Sequence, residues 1–252
     1  MQTQTIAYST EAWNNERLKA RQEHYIANSF HKLYKYIEFL ENTDSFNQAR
    51  FYDSLSTTYI EIAENYYIEA DDIEATRWYL YLAAKTGEKA ILYNNQMVGG
   101  GIDSPHHGSL LLSACALLAN KEELALQLAP PYSPFRALLK SDAKEAHKSL
   151  IQSSDGDYLS FQRGYWALIH KNKKCFCEEL INRILVLRKS QGYPIILDIC
   201  GLSLLKIAKR MEFDCDINLV ELPLSLLINT QVDESQLKFT VVGMELPGGG
   251  PI

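Results

Sequence analysis

The chain has 252 residues, 46% of them hydrophobic and 22% charged, with a formal net charge of −6 at pH 7. This is the balance of a soluble globular protein, and it disfavours nucleic-acid binding, which needs a basic surface. No basic run exceeds Lys171-Asn-Lys-Lys174, and no stretch approaches the ~18 uninterrupted apolar residues of a membrane span.

The opening Met1-Gln-Thr-Gln-Thr-Ile-Ala-Tyr8 lacks the basic-then-apolar order of a secretory signal. The cysteines, Cys115, Cys175, Cys177, Cys200 and Cys215, are odd in number and three sit in apolar helical runs. Such placement suits reduced, buried thiols, so both features point to the cytoplasm.

Helical periodicity dominates the chain from its start. Thr10 can cap a helix carrying Trp13, Leu18, Tyr25 and Ile26, and the apolar stripe continues through Phe30, Leu33, Tyr34, Ile37 and Leu40 to the break at Glu41-Asn-Thr-Asp44. Asp44 or Ser45 caps a helix with Phe46, Ala49, Tyr52, Leu55, Tyr59, Ile62, Ala63 and Tyr66 on one side, ending near Ala70. Asp71 or Asp72 caps the next, which carries Ile73, Arg77, Trp78, Tyr81, Leu82 and Ala84, with Gly87 as a kink or stop.

Between Asn94 and Gly108 no period is clear, and residues 95–108 are expected to join two helical halves, about 10–94 and 109–227. Helices resume at Ser109–Ala119, Lys121–Leu128 and Phe135–Leu139, and again from Asp142, whose spacing to Glu145 imitates a capping box. Tyr158–His170 and Cys175–Arg188 flank the tight Lys171–Lys174 connection, as an antiparallel hairpin requires.

The next helix is expected over Pro194–Met211, with Pro194 in its first turn and Asp198 near its positive end. At about 100° per residue, Asp198, Ser203, Lys206, Lys209 and Arg210 fall within roughly 140° of arc and leave Ile195, Ile196, Ile199, Leu202 and Leu205 to pack. Gly201 lies on the apolar side, where it would admit a neighbouring helix. Ile217–Val220 and Leu237–Val242 read as short strands, and residues 243–252 as a frayed tail. The expectation is one all-α domain over 1–252, an irregular stack of antiparallel helical hairpins with one or two short C-terminal strands.

Few residue patterns carry chemistry. His106-His107 beside Asp103 and Ser104 suggests a metal or hydrolytic site, yet adjacent histidines diverge and no third ligand is spaced to match, so a polar loop or cap is the plainer reading. Cys175-Phe-Cys177 near His170 places two thiols about 200° apart on a helix, which suits packing better than zinc. Gly99-Gly-Gly101 lacks the following Lys-Ser/Thr of a phosphate loop. Asp155-Gly-Asp157 and Asp214-Cys-Asp216 have the spacing of some divalent-metal sites but read as caps or solvated turns. Eleven of the 15 tyrosines precede residue 94, either as a core with phenols at its rim or as a binding face.

Trp78-Tyr-Leu-Tyr-Leu-Ala-Ala84, Glu88-Lys-Ala-Ile-Leu92, Gly201-Leu-Ser-Leu-Leu-Lys-Ile-Ala208 and Leu222-Pro-Leu-Ser-Leu-Leu227 together resemble the all-α immunity proteins of bacterial polymorphic toxin systems, immunity protein 49 in particular. The likeness spans roughly residues 70 to 230 and rests on apolar patterns. It implies a cytoplasmic antidote that binds the toxin domain of a secreted effector, as in type VI or contact-dependent systems, with no catalytic motif and no cofactor. Acidic positions Glu212, Asp214, Asp216 and Glu221, with Asp71, Asp72 and Glu74, are the expected contacts, suited to the basic cleft of a nuclease toxin. Asp103, His106 and His107 in the irregular loop are the second candidate. The alternatives are a helical-repeat adaptor for another protein, and a hydrolase using His106 and His107.

Overall fold

A computed structural model describes residues 45–70, 72–97, 106–152, 161–190, 196–213, 215, 217, 219, 221–229, 240–241 and 244–245. Among these the chain is all-α. Its helices are α1 (Ser45–Ala70), α2 (Ile73–Met97), α3 (His106–Leu118), α4 (Glu122–Leu128), α5 (Pro134–Leu139), α6 (Ala143–Gln152), α7 (Gln162–Ile169), α8 (Lys173–Ser190) and α9 (Ile199–Arg210). A 3-10 turn follows at Leu224–Leu227, and strands β1 (Thr240–Val241) and β2 (Met244–Glu245) pair antiparallel. Helix lengths range from 6 to 26 residues, so no regular repeat of the kind a superhelical adaptor stacks is present in the described part. The helices expected between Thr10 and Leu40 lie outside the described residues.

The longest contact joins α1 to α2. Asp72 makes the corner between them: its backbone N–H donates to Tyr66 O at 3.3 Å and its Oδ1 accepts from Ala75 N–H at 2.9 Å, which caps α2. Tyr52 near the start of α1 stacks on Tyr93 near the end of α2, with ring centroids 5.4 Å apart, while Tyr66 near the end of α1 stacks on Tyr79 at 5.2 Å. The two helices are therefore antiparallel. Tyr52, Tyr59, Tyr79 and Tyr81 are all buried, so these tyrosines form core rather than a binding face.

Burial pushes the Tyr59 phenol far above its ordinary range. Gly87 does not stop α2, which runs on to Met97. A Cβ there would overlap the Leu112 side chain, so glycine instead lets α2 and α3 approach.

Caps punctuate the shorter helices. Ser133 Oγ accepts from Arg136 N–H at 3.1 Å with Pro134 in the first turn of α5, Asp142 Oδ1 accepts from Glu145 N–H at 2.9 Å before α6, and Asn172 Oδ1 accepts from Cys175 N–H at 3.1 Å before α8. Their C-terminal ends are closed without glycine. Asn120, Ser141, Lys171 and Glu212 follow α3, α5, α7 and α9 with φ of 61°, 58°, 55° and 63°.

Four sequence expectations change. The helix expected from Pro194 begins at Ile199, because Asp198 supplies the cap, accepting from Gly201 N–H at 3.0 Å. Its supposed polar arc is largely internal: Asp198, Ser203 and Lys206 are buried, and only Lys209 and Arg210 face outward. Residues 217 and 219 are irregular rather than strand, although Ile217 and Leu219 do turn inward. The loop expected over 95–108 is shorter at both ends, since α2 continues to Met97 and α3 starts at His106.

Cysteine pairing changes as well. Cys177 on α8 is disulfide-bonded to Cys215 across 38 residues, with Cα atoms 6.0 Å apart, leaving Cys115, Cys175 and Cys200 free. The inference from five reduced thiols to a reducing compartment therefore loses its basis, since disulfides persist in oxidising ones.

Candidate functional site

The densest polar construction lies where α8, α9 and the segment after α9 meet. Asp198 is 4% exposed and makes three kinds of tie. Its carboxylate caps α9 at Gly201; it also accepts from Arg183 Nε at 2.7 Å and a second guanidinium nitrogen at 3.0 Å; and its own N–H donates to Glu221 O at 3.0 Å. Burial alone would lower the Arg183 pKa, but the Asp198 charge and its hydrogen bonds hold it above the ordinary value. Gly201 is needed for this reason: a Cβ would meet the Asp198 carboxylate and Leu222, not a neighbouring helix as the sequence suggests.

Arg77 fastens the segment beyond α9, while Lys206 and Arg210 tie α9 itself to the turn after α3 and the start of α4. Arg77, 3% exposed on α2, donates to the carbonyls of Ser225 and Ile228 at 2.7 and 2.9 Å. Lys206, 2% exposed on α9, donates to Asn120 Oδ1, while Arg210 pairs with Glu122. Burial first, then the charges of Arg210 and Arg77, pulls the Lys206 ammonium down to about 8 against the pull of Glu122. Together with Cys177–Cys215, and with Phe213 set edge-on against Phe176 at 6.3 Å, the Arg77 bonds make the described residues between Met211 and Ile228 a strap over α2 and α8.

The strap changes the standing of the acidic positions proposed as contacts. Glu221 is 0% exposed, so its carboxylate cannot meet a partner: a charge beside turn residues reads as surface, whereas here Glu221 is buried along with Phe213, Ile217 and Leu219. Glu212 is exposed in the turn that ends α9, and Asp72 and Glu74 are exposed at the start of α2, Asp72 being also its cap. Asp71, Asp214 and Asp216 lie outside the described residues, as does Asp103. His106 and His107 begin α3, and nothing of their side chains is described. Among the described residues no three His, Cys, Asp or Glu side chains gather as a metal would require, and Cys177 is taken by Cys215.

A surface group escaped the reading of single motifs. His147 on α6 meets His170 at the end of α7 edge to face, with centroids 5.2 Å apart, and Trp166 lies against His170 at 4.7 Å. Trp166 is 45% exposed, and Ile151, one turn on from His147, is 71% exposed. The available signal was Trp166 and His170 at i and i+4, which share a helix face.

Comparison with known proteins finds no match: no family model, no curated protein and no solved structure is significantly similar to the chain.

Proposed function

We propose that this chain is an immunity protein, which binds the toxin domain of a secreted bacterial effector and neutralises it by protein–protein contact. One observation supports a binder over a catalyst. The ionisable side chains drawn inside, Asp198, Arg77 and Lys206, hold helix starts, carbonyls and turns in place, while Trp166, Ile151, Leu224 and Ile228 stand at the surface with 45% to 71% exposure. Trp166 and Ile151 flank the His147–His170 ring pair on one face, and apolar groups clustered in that way mark contact surface.

In this reading no residue is catalytic and no cofactor is required, and no nucleic acid or membrane takes part. Glu212, Asp72 and Glu74 remain the acidic contacts open to a basic cleft. Co-expression with the product of the neighbouring upstream gene tests the proposal. Growth restored by the chain, with the two proteins recovered together in a pull-down, is the expected result. A toxic product that the chain neither binds nor relieves overturns it.

A further inference from the structure

We propose that the face shared by α6 and α7 docks an acidic protein segment that carries an aliphatic or aromatic side chain. The argument starts from what is exposed there. Trp166, His170 and His147 form a continuous row of rings, with centroid separations of 4.7 and 5.2 Å, and Ile151 extends it one turn along α6. Trp166 and Ile151 are 45% and 71% exposed, on helices whose other sides are buried through Ala146, Leu150, Ala167 and Leu168. A rigid aromatic and an aliphatic anchor at the two ends of one row on packed helices are suited to the centre of a protein contact.

Charge says what fits. Residues 142–174 contain five lysines, Lys144, Lys148, Lys171, Lys173 and Lys174, and Arg163 against Asp142, Glu145, Asp155 and Asp157, a net +2 within a chain of net −6. All five lysines are exposed. Of the described acidic groups, Glu145 stands 3.8 Å from Lys148 and Glu178 stands 3.9 Å from Lys174, both pairs open to water, and Asp142 is engaged in capping α6, so the lysines keep the excess. The basic rim therefore selects an acidic partner and speeds its arrival, while the apolar row supplies the contact that outlasts encounter. A nucleic acid fits less well, because Ile151 offers nothing to a stacked base.

This inference rests on reading the chain as a binder and names a second pole of that contact, apart from Glu212, Asp72 and Glu74. The test pans a random displayed-peptide library against the full chain, then measures selected peptides by fluorescence anisotropy on wild type, on I151S, on W166A and on the K148E/K171E variant. Because Trp166 touches His170, I151S keeps the test valid should W166A disturb packing, and circular dichroism melts identify folded variants. Selected peptides should be rich in Asp or Glu with Leu, Phe or Trp, should weaken about tenfold or more on each folded variant, and should weaken with added salt.

Peptides without an acidic excess, or peptides that bind the folded variants like wild type, overturn the proposal, as does a single-stranded oligonucleotide that binds this face more tightly than the peptides. If a toxin is neutralised while the peptides fail, this face is wrong and the immunity reading stands. Failure of toxin neutralisation overturns that reading whatever the peptides do.

Discussion

At the scale of single residues, stability concentrates in charges that lie inside the protein. Asp198 joins a cap, a two-point ion pair and a backbone tie to the strap, so Asp198→Ala leaves Arg183 without its counter-charge and α9 without its cap. Removing one member of a buried pair costs about 3–5 kcal/mol. Urea unfolding should show a loss of that order for Asp198→Ala and a smaller one for Asp198→Asn, which keeps an acceptor for Gly201; equal losses would place the whole effect in the charge. Lys206 is the opposite case, a buried cation whose folded pKa of about 8 lies below its unfolded value of 10.5.

Between those two values the unfolded chain holds more protons than the folded one, so stability rises with pH across that window, and below about 8 the penalty is present in full. The rise attributable to Lys206 is at most roughly 3 kcal/mol. Lys206→Met should remove it, giving a flatter stability profile from pH 8 to 10.5 and equal or greater stability at neutral pH. A variant that keeps the wild-type slope would show that other groups produce it. Neither residue announces its burial in the sequence: at 100° per residue both fall on a polar arc, and only Arg183, Glu221 and Asn120, distant along the chain, make their interior positions tolerable.

Elements differ in how plainly their ends can be read. The bounds of α1 match the expectation because acidic residues punctuate both of its ends, and the start of α6 shows in Asp142 and Glu145. The C-terminal ends of α3, α5, α7 and α9 carry no glycine or proline signal, since Asn120, Ser141, Lys171 and Glu212 take up the left-handed backbone themselves. The start of α9 was misplaced because Pro194 resembles a first-turn proline, while the cap that acts is Asp198.

The strap after α9 was the least legible element. Its alternation reads as a strand, yet its order comes from contacts with α2, α8 and the turn after α3. Cys177–Cys215 closes a loop of 38 residues, and a cross-link of that span contributes about 2–4 kcal/mol. Thermal melts should therefore fall with a reducing agent in wild type but not in Cys177→Ser, which should melt at the reduced wild-type temperature from the outset. A wild type indifferent to reductant would mean the strap is held by Arg77, Asp198 and Phe213 alone.

For the whole molecule, the all-α class follows from long amphipathic periods and survives in the structure, with the core running as one cluster from Tyr52 on α1 to Leu227 in the 3-10 turn. Function was less legible than fold. Acidic residues were chosen by sign and position, and of these Glu221 turned out to be internal while Glu212, Asp72 and Glu74 are exposed. The α6–α7 face was missed because its four members are separated in sequence and meet only when two helices pack.

The central claim is neutralisation by binding, and its most direct measurement titrates the purified chain into the effector domain encoded immediately upstream while following that domain's toxic activity. The account predicts activity falling in proportion to added chain and reaching background near one equivalent. Undiminished activity at saturation, or complete loss at a small fraction of an equivalent as turnover would give, contradicts it.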